Sequence, residues 1–270
     1  MGGFSMNIFL REMSAYRKSV IIWCIGVIFL IGSGMAKFEG MASSGQSMND
    51  IMTAMPKSLQ AIMGTGTLDV SKVSGYYGVL YIYLLLMATI HAAMLGATII
   101  AKEERDKTAE FLFVKPVSRS KIISYKLIVA SVNIVIFNIV AAVSSIYLVG
   151  KYSDGQSMTG DIINAMLGML LLQVLFLLIG STIAAVCKRP RIAVSLSTGI
   201  ILVTYIASIA IDLNEKLAFM RFITPFKYFE AKFVMNGEGL DIFFVLLSLS
   251  MIVILLMITF LFYRKRDLNV

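Results

Sequence analysis

The sequence predicts an all-α, polytopic membrane protein. It should have six transmembrane helices, both termini in the cytoplasm and an amphipathic surface helix at the N-terminus. Three observations predict this class. The 270-residue chain is 58% apolar and only 15% charged, where a soluble domain carries about 25% charged residues. Its mean hydropathy is +0.84. Its apolar residues gather into six runs, each long enough to cross a bilayer core of about 30 Å as a helix. Proline is scarce, which excludes a low-complexity or disordered chain. Two cysteines, Cys24 and Cys187, and a single histidine, His91, cannot assemble the common Cys/His metal sites. The cysteines read as small apolar packers.

The expected spans are Ser19–Ala36, Tyr76–Ala101, Ile122–Val149, Ile162–Val186, Ile192–Ile211 and Ile242–Tyr263. The first is the shortest. No small-x-small cleavage site follows it, which argues against a signal peptide. The basic residues set the orientation. With the N-terminus inside, sixteen of the 24 Lys and Arg residues fall on the inner side. They flank the span ends, where the positive-inside rule applies. This asymmetry accounts for the net charge of +8 without a nucleic-acid partner.

Outside the spans, residues 1–18 mix Arg11, Arg17 and Lys18 with Phe9, Leu10, Met13 and Tyr16 at helical spacing. That pattern suits a helix lying along the inner surface and leading into the first span. The long outer segment Lys37–Gly75 opens with a Gly-, Ser- and Asn-rich loop over Gly40–Asn49. An amphipathic helix follows over Ile51–Met63, interrupted by Pro56. Five methionines fall in this segment. Thioethers bind Cu(I), but with 18 methionines in the chain an amphipathic helix explains them better. The last outer segment, Asp212–Gly239, mixes Phe219, Phe222, Phe226, Tyr228, Phe229 and Phe233 with Arg221, Lys227 and Lys232. Such a mixture fits the headgroup level of a membrane.

Inside the runs lie His91, Asn133, Asn138 and Gln173. Polar groups in lipid must face other helices or a wet cavity. They are candidates for a substrate path or for interhelical polar contacts, and packing is the simpler reading, since one histidine without a membrane-embedded Asp or Glu makes a poor proton relay. Ala88, Ala92 and Gly96 form a row of small residues that permits close helix approach. No catalytic constellation is present. GxxxxGK[ST], HExxH, GxSxG and CxxC are all missing. The chain therefore reads as a non-enzyme with no cofactor of its own.

The informative segment joins the second and third spans and reads IIAKEERDKTAEFLFVKPVSRSKIISYKLI over Ile99–Ile128. An acidic cluster gives way to the apolar quartet Phe111–Val114, then to Pro116 and a basic run. An apolar patch beside charges suits docking into a groove of another protein. The order acidic cluster, Thr108-Ala109-Glu110, Phe111-Leu112, Pro116-Val117-Ser118-Arg119 and then Lys126 resembles the permease subunits of ABC-2-type transporters. Their pattern is roughly E-E-x-x-G-T-x-E-x-L-L-x-x-P-V-S-R-x-x-I. Pro225-Phe226-Lys227-Tyr228-Phe229 and Tyr263-Arg264-Lys265-Arg266-Asp267-Leu268 agree with it as well, so the resemblance runs over nearly the whole chain. Lys107 stands where relatives carry Gly, which implies a more helical local backbone here.

The resemblance implies a single permease domain over residues 1–270, with residues 102–121 as the cytoplasmic coupling loop. It implies separate ABC ATPase subunits holding ATP and Mg²⁺, and a second permease chain, identical or related. Glu104, Glu110, Phe111, Pro116, Ser118 and Arg119 take the coupling positions. The expected setting is a cell membrane, that of a bacterium, and the expected cargo an amphipathic or apolar drug, antimicrobial peptide or lipid-like molecule. The alternatives are a secondary transporter without an ATPase and a non-transporting scaffold or immunity protein.

Overall fold

In the computed structural model the described residues are 2–43, 48–66, 68–106, 118–153, 157–187 and 189–265. They form helices, with no strand among them. Among the described residues nine α-helices follow in order: α1 (Gly2–Ser43), α2 (Met48–Thr53), α3 (Lys57–Met63), α4 (Val73–Arg105), α5 (Arg119–Tyr152), α6 (Thr159–Val186), α7 (Pro190–Leu213), α8 (Ala231–Val234) and α9 (Ile242–Lys265). Two 3₁₀ segments, Glu215–Phe222 and Pro225–Lys227, lie between α7 and α8. Six of the helices, α1, α4, α5, α6, α7 and α9, are long and apolar enough to cross a membrane. These are the six expected spans.

The helices outrun the apolar windows. With 42, 33 and 34 residues, α1, α4 and α5 are about 63, 50 and 51 Å long at 1.5 Å per residue. Each exceeds the bilayer core and projects well beyond it. The expected separation of a surface helix from the first span is not a break in the helix. The backbone of α1 runs on through Lys18 and Ser19. The reason is local: from Phe4 to Ile25 the sequence contains neither Gly nor Pro, so nothing interrupts the hydrogen-bond ladder. In the outer segment Pro56 does divide α2 from α3. Gly64 then closes α3 at φ +72°, the left-handed turn that suits glycine.

Helices α4 and α6 form the centre and pack more extensively on each other than any other pair. Their crossing is built from small residues. A Cβ on Gly96 would lie 2.1 Å from the Leu177 carbonyl oxygen, and one on Gly180 would lie 2.2 Å from that of Ala93. Only glycine lets the two backbones touch here. The row Ala88, Ala92, Gly96 is buried along this helix. Around the pair, α5 covers both helices, α1 lies on α5, α7 on α4 and α9 on α6. The most apolar stretch of α4 is 72% buried within the chain, and that of α9 only 17%. Ile22 and Phe29 on α1, Val203 and Ile206 on α7, and Ile254 and Met257 on α9 point outward. This apolar exterior is what a lipid-embedded bundle presents.

Candidate functional site

Both ends of the bundle carry buried charge. At one end, here the terminal face, α1 and α5 begin and α4 and α9 finish. Glu12 on α1 is fully buried and accepts from Lys102 Nζ of α4 at 2.9 Å and from Arg11 at 3.3 Å. Lys102 also lies over the Tyr16 ring, 5.5 Å from its centre. One residue on, Glu103 pairs with the buried Lys126 of α5, which also donates to the Ile99 carbonyl at 2.5 Å. Glu103 Oε1 has no hydrogen-bond partner among the described residues. Two adjacent residues of α4 thus grip two different helices. Buried charges require such pairing, because each unpaired ion would cost several kcal/mol. These acids stand at the ends of spans, so the expectation of spans with no embedded acid holds only for the bundle's middle.

Of the coupling positions, Glu104, Ser118 and Arg119 occupy the same face. Glu104 is half-buried at the end of α4. Beyond it, Arg105 donates to Asp106 at 2.9 Å and holds that carboxyl below the usual carboxylate range. Ser118 is the N-cap of α5, its side chain accepting from the Lys121 N–H at 3.4 Å. Arg119 donates to the Arg264 carbonyl of α9 at 3.3 Å. Lys107, Glu110, Phe111 and Pro116 lie outside the described residues. The loop therefore starts and ends among residues tied to α1, α5 and α9. Glu103 belongs to the acidic cluster read from the sequence and Lys102 opens the coupling loop, but neither was given a helix-bracing role, and Glu12 was not marked at all. Lys126 was noted only as part of a motif.

The four polar groups of the interior separate into three arrangements. Asn138 on α5 donates to Gln173 Oε1 and to the Met166 carbonyl on α6, each at 3.1 Å. Asn133 turns back to its own helix and donates to the Val129 carbonyl at 2.7 Å. His91 is buried between Trp23 and Phe137, with ring centres 5.1 and 5.2 Å away. It thereby ties α4 to α1 and α5. Its Nδ1 has no partner among the described residues, nor has Gln173 Nε2. All four side chains are buried within this one chain.

At the opposite face Tyr152 donates to Glu39 at 3.0 Å and joins α5 to α1. Asp69 accepts from Asn49 at 2.5 Å and from the Ser71 hydroxyl at 2.6 Å. Those bonds, Ser71's foremost, lower its pKa to about 2. The aromatic strip divides: Phe219 and Phe222 are exposed, whereas Phe226, Tyr228 and Phe229 plug the bundle. Burial pushes the Tyr228 phenol up to about 12. It stays a neutral donor to the Phe222 carbonyl, 2.5 Å away. Lys227, only 6% exposed, donates to Asp212 at 2.5 Å and to Glu230 at 3.1 Å. These residues border a cavity of about 300 Å³ between α3, α4, α7 and the segment that follows α7.

The sequence profile of the ABC-2 family transporter proteins matches residues 6–268. The chain belongs to that family and is a multi-pass membrane component of a transporter. No curated protein matches it closely enough to add a more specific relative.

Proposed function

We propose that this chain is the permease subunit of an ATP-driven exporter. Separate ATPase subunits hold ATP and Mg²⁺, and a second permease chain completes the path. The terminal face is cytoplasmic, and the loop of residues 102–121 receives the ATPase. The observation that carries this reading is the bracing of that loop. Its flanks, Lys102 and Glu103 on one side and Arg119 and Lys126 on the other, grip α1, α5 and α9 together. A push on the loop then moves the ends of four spans as one body, which an ordinary solvated connector would not do. Glu110 and Phe111 offer a charge and an apolar anchor to the ATPase groove. Pro116 and Ser118 set where α5 begins, and Glu104 and Arg119 border the contact.

Among the described residues the bundle's middle holds no unpaired ionised group, so the cargo is amphipathic or apolar and moves along the outer apolar faces between two permease chains. The setting is a bacterial plasma membrane. The test is reconstitution. Co-purified with a partner ABC ATPase, the chain should drive ATP-dependent efflux of an amphipathic dye from vesicles. Alone it should hydrolyse no ATP, having no phosphate-binding loop. Single cysteines at Gly237 and within Ala42–Asn49 should label from outside, and those at Lys107 and Asn269 only after permeabilisation. Transport driven by an ion gradient without ATP, or outside labelling at Lys107, would overturn this reading.

A further inference from the structure

The cavity at the opposite face is a cup of two halves. Its floor is apolar and aromatic: Tyr81 and Leu85 from α4, with Phe226 and Phe229. Tyr81 is fully buried and its hydroxyl is committed to the Ala165 carbonyl at 2.9 Å, so it backs the floor without offering a polar group to a guest. The rim is charged and carries Lys57, Asp212, Lys227, Glu230 and Lys232.

The rim charges do not cancel. Lys227 is held by Asp212 and Glu230, and Lys232 by Glu230 at 3.2 Å. Two lysines and two carboxylates thus balance one another. Lys57, exposed at the start of α3, forms no ion pair among the described residues. The rim is left with one uncompensated positive charge above an apolar floor.

We propose that this cup is a binding site for a small amphipathic monoanion. The apolar body lies on Leu85, Phe226 and Phe229, and the anionic head meets Lys57 with Lys232 beside it. At about 300 Å³ the cup is at the small end of ligand sites, which span roughly 300–1,000 Å³. It suits one short chain or one ring system rather than a peptide or a two-chained lipid. The proposal deepens the permease reading by naming a cargo class and a place for it on the outer side. Its test uses the purified chain without any ATPase, so it can fail while the permease reading stands.

The probe is decanoate carrying a diazirine near its chain end, added to the chain in nanodiscs of zwitterionic lipid. Its methyl ester and the matching alkylammonium serve as controls. Photolabelling should fall on the peptides that hold Tyr81–Leu85 and Phe226–Phe229, and the acid should label about tenfold more than the ester, since only the acid can make charge-assisted bonds. Lys57→Glu, on an exposed position, should reduce acid labelling about tenfold without changing the labelling of outward-facing α9. Leu85→Trp should fill the floor and remove labelling from the cup. Equal labelling by acid and ester would mean partitioning from lipid only. Preference for the ammonium would mean that Asp212 and Glu230 define the site. Either result, or an unaltered pattern in Lys57→Glu, would overturn the proposal.

Discussion

Lys126 and Lys227 are both buried lysines held by two oxygens, yet they sit in opposite kinds of surroundings. Lys126 lies inside the terminal face. Its carboxylate partner, Glu103, is itself almost fully buried, and its other acceptor is a helix carbonyl. Lys227 lies in a cavity wall, and its partner Asp212 is 41% exposed. The first arrangement is closed: no water or ligand can take over if one partner leaves. The second is open, and its carboxylates can be solvated or re-paired. A closed pair locks helices together, whereas an open one can exchange partners with a guest. The difference matches the uses proposed for the two ends, force transmission at one and ligand contact at the other.

Removing one side of the closed pair should have the largest effect. Lys126→Met leaves Glu103 buried and unpaired, at a cost of about 3–5 kcal/mol. Unfolding of the detergent-solubilised chain, followed through Trp23 fluorescence, measures it. Adding Glu103→Gln to Lys126→Met should restore much of the loss, because a neutral amide is cheaper to bury than a lone carboxylate. If the double variant is no better than the single one, packing of the lysine stem rather than charge pairing holds α4 to α5.

Lys227→Met should cost less, about 1 kcal/mol, since Asp212 can turn to water and the pair is partly screened. The same unfolding measurement compares it directly with Lys126→Met. Equal losses would erase the distinction between closed and open pairs.

Smaller still are the stability effects of Glu110→Lys, Arg119→Glu and Phe111→Asp, expected within about 0.5 kcal/mol. Their consequence is functional. Each should express normally, lose co-purification with the ATPase and lose transport, because a clash or an unpaired charge in a docked contact costs several kcal/mol. Retained association in all three would leave the terminal face braced for no partner.

The slightest change expected is at the exposed Asp69. Its folded pKa, about 2, lies below the ordinary 3.8. Its hydrogen bonds to Ser71 and Asn49 therefore favour the fold fully above about pH 4, and that contribution fades as pH falls through about 2. Amide exchange of residues 69–72 should be unchanged between pH 7 and 5 once corrected for intrinsic rates, and faster below pH 3. Loss of protection already at pH 5 would mean that the lock depends on some other group.

Much of the fold was legible because the relevant signals are local. Apolar runs marked six spans. Pro56 marked the division of α2 from α3, and the Ala88, Ala92, Gly96 row lies at the helix crossing, where a Cβ on Gly96 would strike a backbone. The helix ends were less legible. Charged residues beyond an apolar run continue a helix as readily as they end it, so α1 passes through Lys18 without a break. The candidate site was legible only in part. Glu12 and Lys102 are 90 residues apart, and no periodicity within either segment connects them. The polar residues of the interior were visible one by one, but not that Asn138 meets Gln173 while Asn133 bonds to its own helix.

By itself the sequence determined the class of the protein and its solvent. A chain whose apolar runs are each about 20 residues or longer, with charges concentrated at their ends, satisfies its backbone in lipid as helices. The motif around Pro116 and the family pattern along the chain were likewise written in the order of residues. Only the tertiary structure decided which charges meet. The pairings that tie one helix to another, Glu12 with Lys102 and Glu103 with Lys126, depend on helices distant in sequence being brought side by side, and burial then sets their strength. That is why Lys126 and Lys227, indistinguishable as lysines in the sequence, became a lock at one end and a cavity wall at the other.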